Sequence, residues 1–343
     1  MQTLQNIILI GLGKVGREVI NLIQQNHINV QFVAVADSQA CLIGKPLSAE
    51  LLEKATRLKS QGEKISGIAE SQPLRALEDQ FLPNTIVLDT SAARGLDWQK
   101  ALDNECKLVF ANKNTLSEPW SKASRFYNQL HIRYESAVGA GLPVIETLRS
   151  MVASGDTISH IQGVMSGTLG YLCSQLEAGV IYSQAVQQAY DAGYTEPDPR
   201  DDLSGFDVLR KALILGRTAG WQLEQTDFEV EPLYDEHLLG NSVDEFLKNS
   251  SMLDRSYSRQ VEAAAAQGNV LRYLATVSPD GGESGLKAVQ RNSSLGALQG
   301  PGNYFAIYSQ RYNQIPLVIA GPGAGITVTA NGVLNDIIAL LNC

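Results

Sequence analysis

Short apolar runs alternate with amphipathic stretches through the first third of the chain. The run NIILI (6–10) enters the glycine-rich GLGKVG (11–16), and REVINLIQQN (17–26) follows with apolar residues at helical spacing. VQFVAVAD (30–37), TIVLDTSA (85–92) and KLVFANK (107–113) repeat the continuous apolar signature, whereas SAELLEKATRLKS (48–60) and LDWQKALDNE (96–105) are amphipathic. Strands apolar on both faces, alternating with helices, predict a parallel sheet covered on each side, a Rossmann-type α/β domain.

From about residue 149 the pattern changes. HIQGVM (160–165), VLRYLATVS (270–278), GLKAVQ (285–290) and YFAIYSQRY (304–312) read as strands whose alternation suits an antiparallel sheet. Helices such as LGYLCSQLEAG (169–179) would cover one face of it, giving a second, α+β domain. The terminal PLVIAGPGAGITVTANGVLNDIIALL (316–341) reads as strand, glycine-rich turn and helix, and is expected to return to the first domain. The predicted division is therefore 1–135 with 320–343 against 136–319. No repeat, low-complexity tract or long linker interrupts it.

Composition narrows the partners. Of 343 residues, 44% are hydrophobic and 18% charged, which is ordinary for a folded globular chain. A net charge of −9 repels phosphate and so argues against nucleic acid and anionic membrane surfaces. No apolar run approaches the roughly 18 residues needed to span a bilayer, and MQTLQNIILI lacks the basic start of a signal peptide. Cys41, Cys106, Cys173 and Cys343 are far apart with no CxxC pair, which suggests free thiols and a cytoplasmic protein. His27, His131, His160 and His237 are isolated, so no protein-built zinc site is expected.

GLGKVG stands after a buried strand, opens a helix, and has an acid at the end of the next strand. In that context Gly11 permits the tight turn, Gly13 admits a pyrophosphate close to the backbone, and Gly16 packs helix on strand. The helix N-terminus offers N–H groups and a partial positive charge to phosphate. Asp37 either receives a ribose diol or merely ends the strand. Its charge would repel a 2′-phosphate and no arginine follows closely, which favours NAD, yet Lys45 would be in reach from the loop; both NAD and NADP are expected to serve, with Asp37 setting the ratio.

Residues 196–215, EPDPRDDLSGFDVLRKALIL, gather Glu196, Asp198, Asp201, Asp202 and Asp207 beside a segment that turns apolar. The prolines predict a rigid loop over 196–204. The helical spacing that follows puts Phe206, Leu209 and Leu213 towards a core and Asp207 and Lys211 on one face. A solvated ion pair would explain that pair alone. Five acids in twelve residues lack calcium-loop spacing, but suit a substrate ammonium group with a lysine as proton carrier.

GYTEPDPRDDLSGFDVLRKALILGR (193–217) resembles the signature segment of the homoserine dehydrogenase family. GLGKVG, ANKNTLS (111–117), SAVGAGLPVIETLR (136–149), GVMSGTLGYL (163–172) and GPGAGITVTANGVLNDI (321–337) match the same family in order, so the resemblance covers essentially the whole chain. It implies a Rossmann-type domain with an α+β substrate-binding and dimerisation domain, NADP or NAD as cofactor, and a homodimer. By motif position, Lys211 resembles the catalytic lysine, Lys113 the second active-site lysine, and Asp207 a carboxylate that holds substrate and supports the chemistry; Asp207 would also orient Lys211. Glu196, Asp201, Gly167 and Thr168 fall at substrate positions. Gly11, Leu12, Gly13, Lys14, Val15, Gly16, Asp37, Thr90, Lys113 and Gly325 belong to the cofactor cleft. Glu135, Val138, Ala140 and Leu142 match a monovalent cation site for sodium or potassium, built mostly of carbonyls. Longer members continue into an ACT regulatory domain where this sequence ends, so insensitivity to threonine is expected.

The reaction implied is the reversible oxidation of L-homoserine to L-aspartate 4-semialdehyde in threonine, methionine and isoleucine biosynthesis. Burial or a second ammonium would bring a lysine towards a proton-accepting state, and Lys113 would supply that ammonium. Another amino-acid aldehyde oxidoreductase would need a cysteine nucleophile, which neither Cys106 nor Cys173 recommends. A non-catalytic NAD(P) sensor would be expected to lose the lysine pair, which is intact.

Overall fold

A computed structural model describes residues 4–93, 97–240 and 242–342. Leu96, at the head of the helix expected over 96–105, and Cys343 lie outside the described residues. The chain divides into two compact units, Met1–Pro143 with Gly325–Cys343, and Val144–Ala324.

The first unit opens with β1 (Gln5–Ile10), α1 (Lys14–Gln25) and β2 (Val30–Ala36). Continuous apolar sequence makes β1 the centre of the sheet: Ile7, Ile8 and Leu9 are fully buried. β3 (Ala40–Ile43), α2 (Ala49–Ser60) and β4 (Gln72–Pro73) follow, then β5 (Ile86–Asp89), α3 (Gln99–Asp103), β6 (Lys107–Phe110), α4 (Lys113–Leu116), α5 (Trp120–Ala123) and β7 (Ile132–Arg133). The strand order is β4-β3-β2-β1-β5-β6-β7. β2, β1, β5, β6 and β7 run parallel, as expected. β3 and β4 add an antiparallel edge that strands of such length do not announce in sequence. β1 has β2 on one side and β5 on the other, so the strand order reverses there and a crevice opens at the carboxyl ends.

The second unit holds α6 (Val144–Ala153), β8 (Ile158–Val164), α7 (Gly167–Glu177), α8 (Tyr182–Asp191), α9 (Pro199–Leu203) and α10 (Phe206–Thr218). It continues with β9 (Phe228–Val230), α11 (Val243–Asn249), α12 (Asp254–Ala266), β10 (Asn269–Ser278), β11 (Gly281–Gln290), β12 (Gly302–Ser309) and β13 (Leu317–Pro322). Its sheet runs β13-β12-β8-β10-β11-β9, antiparallel except that β9 joins β11 in parallel.

The last helix, α13 (Ile326–Leu341), belongs to the first unit. Ala330, Val333, Ile337 and Leu340 join Ile7, Leu9 and Val19 in one core. Gly332 lets α13 approach the 135–142 segment, since a Cβ there would lie 2.4 Å from Ser136 Oγ and 2.7 Å from the carbonyl of Ala140. That contact keeps residues 135–142 with the first unit, and the division falls after 143 and 324 rather than after 135 and 319. Among the described residues, no helix is long and apolar enough to cross a membrane.

Candidate active site

In the second unit, Gly205 turns the chain into α10 at φ 72°, where a Cβ would lie 2.0 Å from Tyr273 Oη. One turn apart on α10, Lys211 Nζ stands 2.8 Å from Oδ2 of Asp207 and donates to the Met165 carbonyl at 2.6 Å. The lysine side chain is 12% exposed, so this is not the solvated pair that spacing alone would allow. Arg210 Nη2 approaches the other oxygen of Asp207 at 3.5 Å. Val208, Leu209, Ala212 and Leu213 bury the apolar face of the helix. Phe206, expected in that core, is 46% exposed instead: it opens the first turn, and the Arg210 guanidinium lies over its ring.

Residues 196–204 are not the expected loop throughout, because α9 forms within them. Asp198 caps that helix by accepting from Arg200 N (3.0 Å) and also holds the Arg200 guanidinium (Nη2 at 2.7 Å). The hydrogen bond from Arg200 keeps the Asp198 carboxyl below its ordinary range. Asp201, expected to hold substrate, is exposed. Its neighbour Asp202, about 100° further round the helix, points inward instead. Asp202 Oδ1 lies 3.0 Å from Thr168 Oγ1, and Oδ2 accepts from Glu196 N at 2.7 Å. Burial raises the Asp202 pKa, and the charges of Glu196 and Asp207 push it the same way. Thr168 also donates to the Tyr194 carbonyl (2.6 Å), and Gly167 packs where a Cβ would meet the Pro301 carbonyl at 3.2 Å. Sequence reasoning passed over Asp202, although the helical phase of α9 relative to its Asp198 cap distinguishes it from Asp201.

In the first unit the glycine turn has the shape its spacing predicts. Gly11 sits at φ 100°, where a Cβ would lie 2.5 Å from Ser91 N, and a Cβ on Gly16 would lie 2.2 Å from the Gly11 carbonyl. A Cβ on Gly13 meets nothing within 4 Å, so the turn is open beside the head of α1, where Lys14 and Val15 begin the helix. Leu12 is buried beneath. Thr90 Oγ1 donates to the Gly11 carbonyl (2.7 Å) and ties β5 to the turn. A cavity of about 650 Å³ follows the carboxyl ends of β1, β2 and β5. Its walls include Gly11, Ser38, Leu74, Phe81, Ala92 and Trp98. Open backbone at a helix N-terminus beside a mostly apolar slot fits the phosphates and adenine of a dinucleotide. Lys45, expected to reach in, does not line it.

Asp37 is also placed differently from expectation. Its Oδ1 accepts from Gln39 N (2.9 Å) and Ala40 N (3.1 Å), and its Oδ2 from Ile65 N (3.1 Å) and Lys59 Nζ (3.2 Å). Burial opposes ionisation of Asp37, but these four bonds outweigh it and its pKa is lowered. Lys113 is the first residue of α4. Its N-cap, Asn112, accepts from Asn114 N (2.9 Å) and donates to Asp89 Oδ2 (3.0 Å). Asp89 is fully buried, and burial pushes its pKa up to about 6. Lys113 lies in the first unit and Lys211 in the second.

Glu135 is 5% exposed and its N–H donates to Asp336 on α13 (2.9 Å). Val138 is buried, and Ala140 adopts φ 58° in the turn before Leu142. Gly325 begins α13 at φ 127°. Among the described residues, no group of three or more His, Cys, Asp or Glu is arranged so that it could hold a metal ion. Cys106 and Cys173 are fully buried with thiol pKa values raised by burial to about 11, so neither is a ready nucleophile.

Residues 143–338 match the family model for homoserine dehydrogenase. The chain is 34% identical over 353 residues to a bifunctional aspartokinase/homoserine dehydrogenase from Zea mays, covering 97% of this chain and 38% of that protein. A bifunctional relative from Escherichia coli is 34% identical over 347 residues, covering 96% of this chain and 42% of the relative. The chain thus spans about two-fifths of the length of these relatives. Among solved structures, a Candida auris protein of unknown function superposes with a TM-score of 0.83 at 29% identity, over 98% of both chains. A hyperthermophilic archaeal homoserine dehydrogenase in complex with NADPH shares the fold with a TM-score of 0.73 at 22% identity, over 99% of both chains.

Proposed function

The chain belongs to the homoserine dehydrogenase family, and on that premise we propose that it interconverts L-homoserine and L-aspartate 4-semialdehyde with a nicotinamide dinucleotide, a step of amino-acid biosynthesis. The observation that carries this reading is Lys211 Nζ, held between the Asp207 carboxylate and the Met165 carbonyl. An alcohol can be oxidised only if its hydroxyl proton departs while a hydride leaves carbon. The nicotinamide, when bound, supplies the hydride acceptor. As the neutral amine, Lys211 takes the hydroxyl proton and becomes the ammonium; as the ammonium it returns that proton to the aldehyde oxygen in the reverse direction, and Asp207 fixes its Nζ in place. Glu196 and Asp202 provide the negative charge that an amino-acid ammonium group needs. Lys113, at the head of α4, is the second lysine of the motif set. Gly11, Gly13, Gly16 and Thr90 shape the dinucleotide turn, and Gly325 completes the cofactor residues of the resemblance.

A monovalent cation held by Glu135 and the carbonyls of Val138, Ala140 and Leu142, and assembly as a homodimer, belong to the same proposal. The test is the absorbance of reduced nicotinamide after L-homoserine is added to protein with NAD or NADP. Reduction that requires L-homoserine is the expected result; no reduction with either cofactor would overturn the proposal.

A further inference from the structure

We propose that Arg75 is a cofactor-specificity residue that binds the 2′-phosphate of NADP, so that the chain prefers NADP over NAD. The inference rests on the dinucleotide reading of the first unit and adds which dinucleotide that unit selects.

It begins with Asp37. An acid at the end of the second strand selects NAD by accepting hydrogen bonds from the ribose 2′-hydroxyl. A carboxylate offers about four lone-pair sites. On Asp37 four donors of its own chain occupy them: the N–H groups of Gln39, Ala40 and Ile65, and Lys59 Nζ. Asp37 borders the cavity but is 7% exposed, and its acceptor sites are filled, so none is left for a diol. Lys59 also neutralises its charge at 3.2 Å, which weakens the repulsion that would exclude a phosphate.

The cavity beside Asp37 supplies the opposite preference. The 3₁₀ stretch Leu74–Gln80 packs against β2, the strand that leads to Asp37, and brings Arg75 to the cavity wall. Arg75 is the one cation among the described residues that line it, and its side chain is exposed. Ser38, exposed immediately after Asp37, adds a hydroxyl donor to the cavity lining. The wall also carries Glu78 and Asp97, and Asp97 already accepts from Gln99 N at 2.9 Å. A planar guanidinium and a hydroxyl lining one cavity suit a phosphate dianion, whereas a ribose diol gives the guanidinium no charge to pair with.

The test measures binding without turnover. Adenosine 2′,5′-bisphosphate and adenosine 5′-monophosphate are titrated calorimetrically into the full chain and into Arg75→Ala and Arg75→Lys. The wild-type chain should bind the bisphosphate about 10- to 100-fold more tightly than the monophosphate, as charge-assisted bonds to one phosphate allow. Arg75→Ala should abolish that preference while leaving the monophosphate affinity within about twofold, and Arg75→Lys should retain part of it because a point charge remains. A wild-type chain without the preference, or with no binding of either probe, would overturn the proposal. So would a preference that persists in Arg75→Ala, or an equal loss of both ligands in that variant. Because neither probe undergoes hydride transfer, these outcomes are independent of whether L-homoserine is oxidised.

Discussion

Lys211 Nζ lies 2.8 Å from Oδ2 of Asp207, one helical turn away, and its second acceptor is the carbonyl of Met165, just beyond the end of β8. Two fixed acceptors leave the ammonium little freedom, and preorganisation of that kind shows in turnover more than in substrate affinity. Lys211→Ala should therefore lower kcat by roughly 10² to 10⁴. The helix should survive, because Val208, Leu209 and Leu213 carry its packing. Asp207→Ala should resemble Lys211→Ala, and the double variant should be scarcely worse than either, as for groups that act as a unit. Steady-state kinetics on folded protein decide this; wild-type turnover in Lys211→Ala would remove the lysine from the chemistry.

Adjacent carboxylates on α9 should behave unequally. Asp202→Asn keeps the shape of the side chain but removes its charge, and should raise KM for L-homoserine about tenfold with a smaller change in kcat. Asp201→Asn alters an exposed position and should stay within about twofold of wild type. Glu196→Ala should follow Asp202→Asn. Equal effects at 201 and 202 would show that the bonds to Thr168 and Glu196 N do not mark the substrate side.

Asp37→Ala should act on stability rather than on cofactor choice. It strands the N–H groups of Gln39, Ala40 and Ile65 and unpairs Lys59, which together should cost about 2 to 4 kcal/mol in denaturant unfolding. The NAD-to-NADP ratio should remain near that of wild type. A stable variant with a switched ratio would restore Asp37 as the selector.

The two buried acids of the first unit give opposite pH signatures. Burial raises Asp89 from 3.8 to about 6, so the folded state holds its proton more tightly than the unfolded chain does. Its contribution is most favourable below about pH 4 and declines as pH rises towards 6, by roughly 3 kcal/mol at about 1.4 kcal/mol per unit. Asp37 is lowered, so its stabilisation is present above 3.8 and lost as pH falls through its folded-state value. Unfolding of wild type and Asp89→Asn between about pH 4 and 6.5 should therefore diverge, with the variant gaining relative to wild type as pH rises. Parallel curves would mean that Asp89 does not titrate in that window.

If a monovalent cation binds at Glu135, sodium or potassium should raise the melting temperature or the activity, and Glu135→Gln should abolish that response. The amide of the variant retains one oxygen but no charge, and a hard cation is held chiefly by charge and oxygen count. The same dependence in both proteins would leave Glu135 a structural residue beside Asp336.

Local pattern determined a good deal of this protein. Continuous apolar runs marked β1, β2, β5 and β6, because strands buried on both faces exclude polar residues. The spacing of Gly11, Gly13 and Gly16 placed the turn, and the i, i+4 interval placed Asp207 beside Lys211. Each of these depends on residues within one element or two neighbouring ones. Tertiary structure decided the remainder, because it depends on partners distant in sequence. Met165 receives Lys211 across 46 residues, and Ile65 and Lys59 fill Asp37 from 28 and 22 residues away. The same holds for Arg75, which a short 3₁₀ stretch without readable periodicity carries to the cavity wall. An acid at a strand end reads alike in sequence whether it waits for a ribose or is already satisfied by its own chain; only the donors that the fold brings to it decide.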